Sequence, residues 1–322
     1  MSDFTRLSRR EWLALADRFY ARLDQTLASL TPAQWLRPTA YLGWRCRDVL
    51  AHMTSAMPVN FRQVLGRALN GDPSAPPEFD TFARNARAVA ARRATPVADL
   101  VREFHRELDA ILEIYRSMSD ADWERPAWFF VGRVRVRTLF LVQFADNVFH
   151  ERDLLTANGR WTGLDPAYAA PLVDWFLREL RPALFRPAHA AGLTAAMRYK
   201  LRGPAGGEWT MTIGDGRCRV EPGSDGRVDV TLVADAEDLV TAAQARAAPW
   251  VGRLARWVDW VRGPARAEDT VAAITGSASL GWALARRRIR VGGNRAVAAR
   301  LNRSFWHFWE RTAMTAAHIA EG

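Results

Sequence analysis

Lysine is nearly missing from this sequence. Lys200 is the only one, so almost all of the 45 Lys plus Arg are arginine, and the formal net charge is +10. The arginines are spread along the chain without a dense tract. That is the pattern of a compositional bias, not of a nucleic-acid footprint, and no nucleic-acid partner is expected. Cysteine is equally scarce. Cys46 and Cys218 stand far apart, which excludes a disulfide scaffold and a cysteine-based metal site. There is no run of 18 apolar residues to span a membrane, and "MSDFTRLSRREW" lacks the apolar core of a secretory signal. A cytoplasmic location is the expectation. What is present is a globular composition. The 322 residues are 49% hydrophobic, with 14 Trp and 15 Phe, enough for one large domain or two ordinary ones.

The first half reads as helices. In "SRREWLALADRFYARLDQTLASL", Trp12, Leu13, Ala16, Phe19, Leu23, Leu27 and Leu30 recur at spacings of three and four. "TPAQW" turns the chain. A second helix is predicted from about Arg45 to Leu69, ended by "NGDPSAPP", and a short one over 79–91. "TPVADLVREFHRELDAILEIYRSM" predicts the next long helix, with Thr95 as its cap and Pro96 in its first turn. "SDADWERPAW" reads as a loop. Further helices are predicted over about 136–156 and 165–180. The long helices fit an all-α four-helix bundle.

After "RPAHAAG" the pattern changes. Strand-like runs are predicted at 197–201, 208–213, 217–221 and 228–233, separated by turn signals such as "GDG" and "SDGR". "DAEDLVTAAQARA" then predicts a helix capped by Asp235, and "RRRIRVGGNRAVAARL" one last strand and helix. These are the marks of an α+β domain with an antiparallel sheet. The expected division is a helical domain over 1–187 and an α+β domain over 188–322. A Trp- and Arg-rich insertion near 249–280 opens with "PWVGRLARWVDWVRGP". It either packs on its own domain or docks on a membrane surface or partner.

Only six histidines occur, and two of them stand out. His52 lies in the apolar stretch "DVLAHM". His150 follows Asp146 by four residues in "LFLVQFADNVFHERDLL", so carboxylate and imidazole share one helical face. Adding His52 from another helix gives a His, His, carboxylate set of the kind that holds catalytic Zn²⁺ or non-haem iron. An Asp–His hydrogen bond inside a helical core would satisfy the same residues without a metal. His105, His189, His307 and His318 read as ordinary single residues, with His105 exposed. Cys46 precedes His52 by six residues, about 120° away around the helix, and is not a ligand candidate.

"LTPAQWLRPTAYLGWRCRDVLAHM" resembles the opening motif of the mycothiol-dependent maleylpyruvate isomerase-like proteins, within the DinB-like four-helix superfamily. The resemblance rests on Trp35, Gly43, Trp44, Asp48, Val49, Leu50, Ala51 and His52, and on Asp146, His150, Asp153 and Leu154 in the second motif. "FDTFARNARAVAARRATPVADLVREFHREL", with Asn85, is similar to the family's middle region. "YKLRGPAGGEWTMTIGDGRCRV", "DVTLVADAEDLV" and "RIRVGGNRAVAARL" resemble the sterol-carrier-like domain that such proteins carry. The resemblance covers nearly the whole chain apart from about 249–280.

The resemblance implies a divalent metal, most often zinc, held by His52, Asp146 and His150. The chain departs from the family at Asp146, where Glu is usual. Asp48 and Asp153 are each placed to fix a ligand imidazole, or equally to cap a helix or form a surface ion pair. The implied chemistry is that of mycothiol or another small thiol. The metal favours the thiolate, which adds to an activated double bond of a small organic acid; rotation and expulsion of the thiol complete an isomerisation. Arg84, Arg87, Arg198, Arg290, Arg295 and Arg300 are candidates for pairing with a substrate carboxylate. Trp44 lines the metal cleft or packs the core. Three functions follow: a thiol-dependent isomerase or transferase acting on a small molecule, a non-catalytic protein binding a metal or an apolar ligand, and a biosynthetic enzyme with altered chemistry. Asp146 favours altered chemistry over strict retention.

Overall fold

The computed structural model describes residues 7–39, 44–74, 81–129, 132–224, 226–236 and 289–305. The expected helix from Asp235, the 249–280 insertion, His307 and His318 lie outside them. Among the described residues no helix is long and apolar enough to cross a membrane. The chain divides into two compact units between Thr162 and Gly163, ahead of the 187/188 boundary expected from the sequence.

The helical unit begins with α1 (Arg9–Ser29), closed at its start by a capping box: Ser8 Oγ accepts from Glu11 N, and Glu11 Oε2 from Ser8 N. Its buried stripe is Trp12, Leu13, Ala16, Phe19, Tyr20, Leu23, Thr26 and Leu27. The short α2 (Pro32–Trp35) buries Trp35. The helix expected over 45–69 is continuous in path but not uniform. It runs as α3 (Cys46–Ala56), a π-helical turn (Met57–Arg62) and α4 (Gln63–Leu69). Pro58 lies in the widened turn, where its missing N–H leaves the α-ladder one donor short. Next come α5 (Thr81–Ala91) and α6 (Val97–Ser117). Pro96, not Thr95, holds the N-cap position of α6: its own ψ of 143° is non-helical, and its carbonyl accepts the first bonds of the helix, from Asp99 N and Leu100 N. The short α7 (Asp120–Trp123) follows.

The expected loop after α7 is partly a hairpin, β1 (Pro126–Phe129) paired antiparallel with β2 (Gly132–Arg135). It leads into α8 (Val136–Ala157), which is buried over most of its surface from Val136 to Leu154, with Arg137, Asp146 and Arg152 part-buried. A helix without a polar face lies at the centre of its bundle, and its polar residues then need partners. Phe144 packs edge-on to Phe19 at 5.5 Å between ring centroids, and Phe140 to Tyr115 at 5.0 Å. Glu151, fully buried, accepts from Arg22 Nε and Nη2, one on each carboxylate oxygen, and from Thr26 Oγ1 at 2.8 Å. With α5, α2 and α7 beside the long helices, the unit is helical but holds more helices than the four-helix count.

The second unit opens with α9 (Pro166–Trp175), capped by Asp165, whose Oδ1 accepts from Ala167 N. A π-turn (Phe176–Leu180), α10 (Arg181–Ala183) and a 3₁₀ turn (Pro187–Ala190) follow. Asp174, buried in α9, accepts from Trp209 Nε1 at 2.7 Å, which is why this helix packs with the sheet that follows it. The strands are β3 (Ala195–Arg202), β4 (Gly207–Gly214), β5 (Arg217–Pro222), β6 (Val230–Asp235) and β7 (Ile289–Gly293), then α11 (Arg295–Arg303). Asp215 and Gly216, at φ 50° and 69°, make the β4–β5 turn, as the "GDG" signal requires.

The sheet order is β5-β4-β3-β6-β7, and the expectation of a wholly antiparallel sheet is corrected at one pair: β3 and β6 are parallel. After the β3–β4–β5 meander the chain crosses back to the far side of β3. Arg198 of β3 holds that crossover, donating to the carbonyls of Ser224 at 2.6 Å and Gly226 at 2.9 Å. Gly293 ends β7 where a Cβ would meet the Asp229 carbonyl at 2.2 Å, so only glycine fits.

Candidate metal centre

Two helices of the first unit build the site. On α3, His52 lies one turn and a half from the N-terminus, and the helix start is fixed by Asp48, whose Oδ2 accepts from Arg45 N at 2.8 Å. On α8, Asp146 and His150 are four residues apart on one face, and both meet His52 of α3. The structure thus brings His52, Asp146 and His150 together, with one donor atom from each lying within 4.8 Å of the others.

The two oxygens of Asp146 are divided between the imidazoles. Oδ2 lies 3.8 Å from His52 Nε2, and Oδ1 lies 3.4 Å from His150 Nε2. The rings of His52 and His150 meet edge to face, 4.8 Å apart at 82°. A tetrahedral ion with ligands near 2.1 Å has donor–donor edges of about 3.4 Å, so a modest inward movement of the three side chains closes them on one ion. Two imidazoles and a carboxylate suit a divalent ion such as zinc or iron. A buried, unsatisfied atom also belongs to the site: His52 Nδ1 has no hydrogen-bond partner among the described residues. The side chains of His52 and His150 are 9% and 5% exposed, that of Asp146 35%, so the cluster opens to solvent on the carboxylate side.

The two histidines differ electrostatically. Burial holds the His52 pKa down at about 4, helped by repulsion from His150. Burial also opposes the charge on His150, but the carboxylates of Asp146 and Asp153 outweigh it and raise its pKa to about 9. Asp153 is the residue that fixes an imidazole, its Oδ2 lying 3.3 Å from His150 Nδ1. Asp48 is the helix cap. From the sequence both roles are open to both residues.

Trp44 faces the site, its ring 5.3 Å from that of His52. Cys46 is turned away. Its Sγ accepts from Asn158 Nδ2 at 3.6 Å, and burial raises its thiol pKa. His105 is surface-exposed and pairs with Asp24 at 2.9 Å. Among the candidate arginines, Arg84 and Arg87 lie in the unit that holds His52. Arg84 donates to Asn60, which in turn donates to Asn85, while Arg87 is exposed. Arg198 holds the crossover, Arg300 donates to the Ala191 carbonyl at 3.0 Å, and Arg290 and Arg295 are exposed. The Arg22–Glu151 pair was missed in sequence, since no spacing rule links residues on two helices.

In the second unit, a cleft of about 330 Å³ lies between the π-turn and β5, lined by Arg178, Glu179, Pro182, Cys218, Arg219 and Glu221. Its walls mix these charged side chains with the apolar Pro182 and Val220. Burial pushes the Cys218 thiol up to about 11, against the pull of Arg181.

With this geometry in place, comparison with known proteins gives two family matches. Residues 16–155 match the mycothiol maleylpyruvate isomerase N-terminal domain, and residues 180–250 the SCP-2 sterol transfer family. The first match spans α1 through α8 and includes all three candidate ligands. Among solved structures, mycothiol-dependent maleylpyruvate isomerase is similar with a TM-score of 0.53 and 14% identity, covering 77% of this chain and 94% of that one. A point mutant of that enzyme gives a TM-score of 0.52, also at 14% identity, over 77% and 93% of the two chains. At this identity the likeness is one of fold. No curated protein sequence matches the chain.

Proposed function

We propose, from the premise that residues 16–155 form a mycothiol maleylpyruvate isomerase N-terminal domain and residues 180–250 an SCP-2 domain, that the chain is a metal-dependent enzyme using a low-molecular-weight thiol. Its reaction is isomerisation or group transfer on a small organic substrate. The observation that carries this reading is the convergence of His52, Asp146 and His150 at a buried position open on one side. His52 and His150 would hold the ion through Nε2, and Asp146 through its carboxylate. A bound divalent ion supplies the positive charge that makes a thiol acidic near neutral pH.

The chain's own groups do the rest. Asp153 keeps a proton on His150 Nδ1, which leaves Nε2 as the donor and fixes the ring. Burial keeps His52 neutral and so able to bind a cation. The partial exposure of Asp146 marks the side from which thiol and substrate approach. Neither Cys46 nor Cys218 is required, since the nucleophilic sulfur comes with the thiol. The SCP-2 match supports an apolar ligand for the second unit, and the cleft described there has mixed charged and apolar walls.

The test is thiol affinity. Protein loaded with one equivalent of zinc is titrated with mycothiol by calorimetry, beside metal-free protein. Metal-dependent binding, followed by thiol-dependent conversion of a cis-unsaturated acid, supports the reading. Metal binding without thiol affinity shifts it to the second reading, a changed reaction on the same scaffold. That alternative is favoured by the shorter carboxylate at Asp146.

A further inference from the structure

The two imidazoles of the site are held in different ways. His150 is fixed by a hydrogen bond from Nδ1 to Asp153. His52 has no such tether among the described residues, since its Nδ1 is buried without a partner. The torsion that sets an imidazole plane is broad when nothing holds it. What His52 has instead is two neighbouring rings: His150 at 4.8 Å and 82°, and Trp44 at 5.3 Å and 44°.

Trp44 is itself held firmly. Its carbonyl accepts from both Thr39 N at 2.9 Å and Thr39 Oγ1 at 3.0 Å. Pro38 bridges Arg45, and Cys46 N donates to the Arg37 carbonyl at 3.0 Å. These backbone contacts on both sides of Trp44 fix the main chain that carries the indole directly before α3.

We propose that Trp44 is the positioning residue for His52, doing with an aromatic wall what Asp153 does for His150 with a carboxylate. This inference rests on the metal reading of the site. The wall limits ring rotation and keeps water from one side of the imidazole. It leaves the ring neutral, whereas the Asp153 carboxylate makes His150 the more basic ligand.

The experiment is Co²⁺ titration of the full chain and of Trp44→Ala, Trp44→Leu and Trp44→Phe, followed by visible absorption of the bound ion. Loss of outer support weakens metal binding by about 10–100-fold. Trp44→Ala and Trp44→Leu are expected to fall in that range, with a changed Co²⁺ spectrum, and Trp44→Phe to stay close to wild type in both. A residue that only stabilises the fold would lower the melting temperature and leave the spectrum of the bound ion alone. If Trp44→Ala does not fold, Trp44→Leu, which keeps apolar bulk without a planar ring, carries the test. Wild-type affinity and spectrum in these variants overturn the inference alone. A wild-type chain that takes up no Co²⁺ overturns the metal reading and this inference with it.

Discussion

Asp153 Oδ2 lies 3.3 Å from His150 Nδ1, within the same helix and on the side of the ring away from Asp146. A carboxylate in that position raises the basicity of a metal-bound imidazole and fixes its plane. Asp153→Asn keeps the shape and removes the charge. We expect metal affinity to fall about 10–100-fold with the fold retained, measured by competition with a chelator of known affinity. Unchanged affinity would assign Asp153 a purely structural role.

The same carboxylates set the pH dependence of metal uptake. In the metal-free protein His150, with its pKa raised to about 9, carries a proton at neutral pH. A metal ion must displace it. Affinity should therefore rise about tenfold per pH unit from pH 7 and level off above pH 9, as expected for one competing proton. His52, held down at about 4, adds no competing proton in that window. Calorimetry in buffers of different ionisation enthalpy should show release of about one proton at pH 7. Zero release would contradict the protonated His150.

At position 146 the length of the carboxylate is the variable. Asp146→Glu restores the usual family residue and is expected to keep the metal. Loss of metal in that variant would show that α3 and α8 have been set for the shorter side chain. Asp146→Ala removes the group that both imidazoles face and is expected to abolish tight binding.

Stability rests on a different part of α8. Glu151 is fully buried, and Arg22 is its cationic partner. Replacing Arg22 with Leu strands a buried carboxylate, which costs about 3 kcal/mol, at the lower end for such pairs because Arg22 is partly exposed. Urea unfolding of the metal-free protein measures this. A change below about 1 kcal/mol, the range of a surface pair, would show that water replaces the arginine.

The sequence carried the half of the site that one helix supplies. Asp146 and His150 share a face by spacing alone, whereas His52 is added only as a second histidine in an apolar stretch, a choice that the family resemblance strengthens, since no local rule relates α3 to α8. The roles of Asp48 and Asp153 were not legible, because each stands a turn from a histidine. Only the backbone shows that Asp48 is taken up by the Arg45 N–H. The long helices and the β3–β4–β5 meander follow from periodicity and from "GDG". The parallel β3–β6 pair does not, because it depends on a crossover held by Arg198 and carbonyl groups, which leave no side-chain pattern. The β1–β2 hairpin was hidden for a related reason: its strands are four residues each, too short for alternation to register.

The most direct measurement is the metal content of protein purified without added metal or a metal-binding tag, beside His52→Ala and His150→Ala. We expect close to one equivalent of a divalent ion in the wild type and almost none in either variant, with helical content retained in all three. Full metal content in either variant would contradict the site, and a wild-type protein that neither contains nor takes up a divalent ion would reduce the cluster to a hydrogen-bonded core.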